Sequence, residues 1–221
     1  MSRAQDMERA RQELAAQVEA QGGARAGGRL SLSLRGAAAV EAVAELTWVE
    51  ALTLSAGVIA DLSPLASLPR LASLDLEDVA RLQDLSGLAG AASLRELWLP
   101  RNSAVALSPL ERLPALRSLS LCRGLEELEG LELRLEALTV RSAAVAELRP
   151  LARMRSLQRL VIGDRRSAVS ELGPLAGLAQ LVALEIDPGG VEDLSPLSAL
   201  QRLTTLRLAG HRRLAALSGL E

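Results

Sequence analysis

Cys122 is the chain's only thiol and His211 its only imidazole, so any sulfur nucleophile with a histidine base would have to be built from these two. The pair works only when sulfur and ring nitrogen come within hydrogen-bond reach. They fall four repeated segments apart in a chain that stacks its segments in order, which excludes the pairing. A metal centre is not expected either, because no cluster of Cys and His exists to hold one. The carboxylates Asp75, Glu77, Asp78 and Glu96 gather on one stretch of the chain. General acid and base catalysis would need a pocket that drives two of their pKa values apart, and an open, solvated surface supplies none. Asp187-Pro-Gly-Gly190 has the glycines of a phosphate loop without its lysine and reads as a turn. No catalytic residue, metal or cofactor is expected.

The chemistry that remains is contact, and the elements that would present it repeat. Leu71-Ala-Ser-Leu74-Asp-Leu76 returns as Leu94-Arg-Glu-Leu97-Trp-Leu99, Leu116-Arg-Ser-Leu119-Ser-Leu121 and Leu135-Glu-Ala-Leu138-Thr-Val140, and again from Leu157, Leu181 and Leu203. Successive phrases start 23, 22, 19, 22, 24 and 22 residues apart. An earlier unit starts at Val49, and a degenerate first one contains Leu32 and Leu34, which makes about nine units with the last incomplete. Leu-x-Leu is the alternation of a strand, leucines inward and the residues between them outward. A second block follows each strand, as in Asp61-Leu-Ser-Pro-Leu65 and Asp193-Leu-Ser-Pro-Leu197. Ser before Pro predicts a helical or 3₁₀ turn, the Ser oxygen accepting a free N–H and Pro needing none. One such unit cannot bury its leucines alone. The expected fold is an α/β solenoid: a curved array with a parallel β-sheet on the concave side and short turns on the convex side.

On that sheet the residues flanking the inward leucines form the surface. Trp98 stands out near the middle, beside Asp75 and Ser120 on the neighbouring strands, because binding hot spots are enriched in Trp and Arg. Asp75, Glu77, Asp78 and Glu96 place acid on one side; Arg101, Arg117, Arg123, Arg141 and Arg159 spread base on the other. A face divided this way suits a protein partner of complementary charge. Asp75, Glu77, Glu96, Trp98, Arg101, Arg117, Ser120, Arg141 and Arg159 are the expected contact residues. Trp48, next to the inward Val49, is expected to pack near the convex side.

The phrase carried by Leu52, Leu54, Ile59, Leu62, Leu65, Leu68 and Leu71, recurring from about Leu30 to Glu221, resembles the short leucine-rich repeats of bacterial internalins and of phosphatase-regulatory repeat proteins. The resemblance implies the solenoid fold and a role in binding a partner protein. Two departures stand out. The family places Asn after each strand, whereas Asn102 is the chain's only Asn and the equivalent places hold Gly57, Gly124, Ala143 and His211. Internalins also carry a secretion signal, which this sequence does not show, so adhesion to a host cell is not carried over.

Residues 1–28 read as a separate N-terminal piece ahead of a repeat domain over 29–221. Met7, Ala10, Leu14 and Val18 fall at helical spacing over Ser2 to Ala20, predicting an amphipathic capping helix. Gln21 to Gly28 then reads as a flexible joint. At the other end Leu214, Leu217 and Leu220 begin a unit with no cap after it, a surface for self-association. The net charge of −2 and the lack of Phe and Tyr disfavour nucleic acid as a partner. No apolar run approaches a membrane span. All 25 basic residues are Arg, which suggests a high-GC, bacterial genome, and a lone cysteine fits the cytoplasm. A non-catalytic protein-binding module is therefore expected. The alternatives are a regulatory subunit or activator of a partner enzyme, a phosphatase or small GTPase, and the sensing array of a longer signalling protein.

Overall fold

A computed structural model describes residues 2–23, 27–34, 37–100, 105–122, 124–142, 145–163, 168–187 and 189–210. It forms two compact units, Met1–Leu116 and Arg117–Glu221. The first contains α1 (Arg3–Ala20), β1 (Arg29–Leu34), α2 (Ala37–Val43), β2 (Ala51–Ile59), α3 (Ser63–Ala66), β3 (Ser73–Asp75), β4 (Val79–Leu82) and β5 (Glu96–Trp98), with 3₁₀ turns at Ser86–Gly90 and Ser108–Arg112. Its strands are parallel in the order β1-β2-β3-β5, and β4 lies against the far half of β2. The second unit carries β6 (Ser118–Leu121), β7 (Ala137–Val140), β8 (Arg159–Gly163), β9 (Ala183–Asp187) and β10 (Thr205–Leu208), paired in that order and all parallel.

Register turns the repeated leucines into rows. Leu30, Leu52, Leu74 and Leu97 lie side by side across the first sheet; Leu119, Leu138, Leu160, Leu184 and Leu206 do so across the second. The leucines of these rows are buried except Leu206, and the second block of a repeat adds its own, such as Leu62, Leu65, Leu68 and Leu71. Each fully buried leucine contributes about 1.5–3 kcal/mol relative to exposure. The first register sets the phase of the degenerate unit that contains Leu32 and Leu34. Leu30 and Leu32 are the counterparts of Leu52 and Leu54, and Leu34 lies beside Ala56.

The turns after the strands are capped differently from expectation. No side chain at the N-cap position bonds the helical turn at Ser63 or Ser195. Instead an aspartate two residues earlier takes both donors of the serine: the Ser63 N–H reaches Asp61 Oδ1 at 2.8 Å and its hydroxyl Oδ2 at 2.7 Å. Asp193 does the same with Ser195, and Asp84 with Ser86. A carboxylate is the stronger acceptor, so the serine hydroxyl becomes a donor. The backbone and hydroxyl bonds of Ser63 and Ser195 hold Asp61 and Asp193 below the usual carboxylate pKa, and the hydroxyl and N–H of Ser86 do so for Asp84. A depressed folded-state pKa adds stability that is present above the unfolded value, near 3.8, and is lost as pH falls through the folded one. Urea midpoints at pH 7 and pH 3 should therefore fall less on acidification in the Asp61→Asn/Asp84→Asn/Asp193→Asn variant than in the native chain. An equal fall in both would remove these caps from the acid response.

Stacked turns approach closely at one glycine. A Cβ on Gly87 would stand 2.5 Å from the backbone nitrogen of Ser63 in the preceding turn, whereas one on Gly90 would meet the Ala66 methyl at 3.6 Å. Gly87→Ala is expected to cost about 1–3 kcal/mol, in the range of overpacking, and Gly90→Ala to be tolerated. Thermal melts of the two variants compare them directly; equal melting temperatures would show that the turns separate freely.

Helix α1 starts in a reciprocal capping box between Ser2 and Gln5, and it buries Ala10 and Leu14 while Met7 and Val18 stay half-buried. Arg3 pairs with Glu41 at 3.0 Å and Arg11 with Glu45 at 2.6 Å, joining α1 to α2 and to the turn after it. The closest attachment is to the sheet edge. The Gln17 amide donates to Ser33 O at 3.0 Å and accepts from Ser33 N at 2.8 Å; Gln21 bonds both backbone groups of Ser31 in the same way. Gln21 is thus anchored rather than part of a free joint, and Gly28 is buried, its carbonyl accepting from Glu50 N and Ala51 N. Trp48 is half-buried. Leu214, Leu217 and Leu220 lie outside the described residues. In β10, Leu206 and Leu208 are half-buried where Leu184 and Ile186 of β9 are fully buried.

Candidate functional site

Two rows of outward side chains cross the first sheet. Arg29, Ala51, Ser73 and Glu96 form one; Ser31, Thr53, Asp75 and Trp98 form the next. The Leu-x-Leu alternation turns their leucine neighbours inward and leaves these eight on the open side. Four of them, Ser31, Ala51, Thr53 and Ser73, are small, so the floor is low. The result is a trough of about 460 Å³, with Gln21 and Arg29 at one end and Asp75, Glu96 and Trp98 at the other.

The acidic end is ordered from within. Asp75 is half-buried, and one of its oxygens accepts from the Glu77 N–H at 2.9 Å, which fixes the carboxylate beside Trp98. Glu96 is exposed and Trp98 is half-buried. Trp98 is therefore set into the trough wall rather than standing clear of the sheet, because Asp75 sits directly opposite it in register. Glu77 lies just beyond β3, half-buried. The side chains of Arg29 and Glu96 make no hydrogen bond or ion pair among the described residues.

Arg101 and Arg123 lie outside the described residues, as does His211. In the second unit, Arg117 is half-buried and pairs with Glu136 at 3.6 Å, and Arg141 is exposed. Arg159 is exposed between Ala137 and Ala183 on the flanking strands. Ser120 departs from expectation: it is buried, and its hydroxyl has no partner among the described residues. Its short side chain stays near the level of the backbone, so it offers no contact surface. Among the described residues there is no group of three or more His, Cys, Asp or Glu able to hold a metal ion, and no helix long and apolar enough to cross a membrane. A separate apolar groove of about 740 Å³ runs between α1 and α2, lined by Leu14, Val18, Ala42 and Leu46.

Sequence reasoning placed Asp75, Glu96 and Trp98 together but missed Arg29 and Gln21. The signal for Arg29 was present, since Arg29-Leu-Ser-Leu32 has the alternation of Ala51-Leu-Thr-Leu54. Nothing periodic marks Gln21.

No protein-family model and no curated protein matches the sequence. Solved structures do match in fold. The internalin InlF of Listeria monocytogenes aligns at 23% identity and a TM-score of 0.52, over 77% of this chain and 57% of that one. A leucine-rich-repeat protein of Leptospira interrogans aligns at 17% identity and a TM-score of 0.60, over 83% and 49%. TLR13, solved as a complex with ssRNA13, aligns at 16% identity and a TM-score of 0.53, over 83% and 36%. The chain thus spans between 36% and 57% of the length of these solved chains. Its recurring leucine phrase, its parallel strands in register and these likenesses make it a leucine-rich-repeat protein by fold.

Proposed function

We propose that the chain is a non-catalytic module that binds a partner protein on the solvent-facing side of its sheet, the side expected to be concave, with Trp98 as anchor. The carrying observation is the trough of the first unit, where a half-buried Trp lies beside an oriented carboxylate on rigid strands. Leucine-rich-repeat relatives in fold serve as interaction modules, which supports the general role. The two carboxylates at the Trp98 end repel a phosphate backbone, which favours protein over nucleic acid. A cytoplasmic, bacterial setting fits a sequence with one cysteine, Cys122, and a basic complement made only of Arg.

Trp98→Ala is expected to weaken capture of the partner by at least 2 kcal/mol, the threshold of a binding hot spot, while leaving the far-UV circular dichroism unchanged. Affinity capture from a lysate of the source organism, native chain and variant side by side, makes the comparison. Equal recovery of every protein by both would move the site away from the trough. A second reading, a regulator of a partner enzyme, rests on Arg159, exposed with no acidic partner among the described residues. It requires a captured enzyme whose turnover changes on mixing and reverts with Arg159→Ala.

A further inference from the structure

We propose that the trough takes an extended peptide lying across the strands, with a basic side chain seated against Trp98 and Glu96 and an acidic side chain about four residues away meeting Arg29. This deepens the protein-binding reading above and rests on it.

Charge and spacing carry the argument. Arg29 and Glu96 stand in the same row on β1 and β5, three strand spacings apart, which is about 14 Å at roughly 4.8 Å per step. An extended chain advances about 3.3–3.6 Å per residue, so side chains four positions apart match that separation. Neither charge is neutralised within the described residues, and each therefore offers its full attraction to a ligand. At the acidic end Trp98 lies opposite Asp75 in register, and the Glu77 N–H sets the Asp75 carboxylate at 2.9 Å. A guanidinium or ammonium there gains the ring's quadrupole and two carboxylates together. At the other end the Gln21 amide is committed to the Ser31 backbone, so it forms a fixed wall and Arg29 is the group free to pair. Between the ends, Ala51 and Ser73 keep the floor low enough for a main chain to lie on it. A ligand with only one sign of charge would leave one end unmatched.

The test is selection of a random dodecapeptide library displayed on phage against the immobilised full chain, with counter-selection on Trp98→Ala. Enriched peptides are expected to carry Arg or Lys and Asp or Glu four positions apart, in either chain direction. Arg29→Ala should then weaken the best peptide about tenfold, as for a solvent-exposed interfacial charge pair, yet leave unchanged a peptide whose acid is replaced by its amide. Glu96→Gln should behave likewise toward the basic position. Both residues are exposed, so both variants are expected to keep the native circular dichroism. Trp98-dependent peptides without the charge pair, or indifferent to Arg29 and Glu96, would overturn this inference while leaving Trp98-anchored binding intact. If no enriched peptide depends on Trp98, or if a labelled single-stranded RNA oligonucleotide binds the trough instead, both the inference and the protein-binding reading fall.

Discussion

Leu160→Ala is expected to lower the stability of the chain by about 3 kcal/mol, within the range for emptying a fully buried leucine site. Leu160 lies in the second unit between Leu138 and Leu184 of the same row, and all three are essentially inaccessible to solvent. Its removal leaves a cavity that the flanking rows cannot close, because their leucines are held in register by strands on both sides. Leu206 is the informative comparison. It occupies the same row position on β10, which pairs with β9, but is half-buried, so Leu206→Ala should cost about 1 kcal/mol for the area it already exposes. Urea denaturation followed by circular dichroism gives both values. A repeat stack is stabilised by interfaces between neighbouring units, so the loss at Leu160 should also broaden the transition. Equal losses at Leu160 and Leu206 would mean that stability does not come from the stacked rows.

The same logic explains what the sequence disclosed. A leucine at a fixed place in every repeat has to serve the same purpose in each, so the strands, their parallel pairing and the facing rows were legible from spacing alone. So was the meeting of Asp75 with Trp98, which are one repeat apart and therefore opposite in register. What could not be read was contact without period. Residues 37–43, rich in Ala and Val, form α2, which no repeat phrase marks. β4 exists because β2 runs on for nine residues and offers Ala56 to Ile59 a neighbour. Asp61 and Asp193 stand within the turn phrase, but a Ser–Pro start points to the Ser oxygen as acceptor, whereas the carboxylate two residues before it takes that place. Ser120 failed for a different reason: alternation says which way a side chain points, not how far it reaches past its neighbours.

Gln17→Ala/Gln21→Ala is expected both to destabilise the first unit and to make the chain self-associate. Strand β1 is the first in its sheet, and the backbone groups of Ser31 and Ser33 on its outer side would be a free edge, a template for another strand. The two glutamines cover it by imitating one. Residues four apart on a helix advance about 6 Å, and residues two apart on a strand about 6.6 Å, so Gln17 and Gln21 meet Ser33 and Ser31 with one amide each. All four bonds join side-chain amide to strand backbone. Their loss should cost about 2 kcal/mol in total, at the low end of roughly 0.5–1.5 kcal/mol per bond because water replaces them at an exposed edge. Sedimentation velocity over a dilution series should then show concentration-dependent association beyond that of the native chain. Gln12→Ala serves as the control, since Gln12 bonds only Glu8 on its own helix. Gln17→Glu/Gln21→Glu separates the two effects: a carboxylate still accepts from the serine N–H groups but cannot donate to their carbonyls, and its charge repels an incoming strand. That variant should lose stability and associate no more than the native chain. A monomeric, fully stable alanine double variant would show that the edge needs no cover and that α1 is held by its contacts with α2 alone.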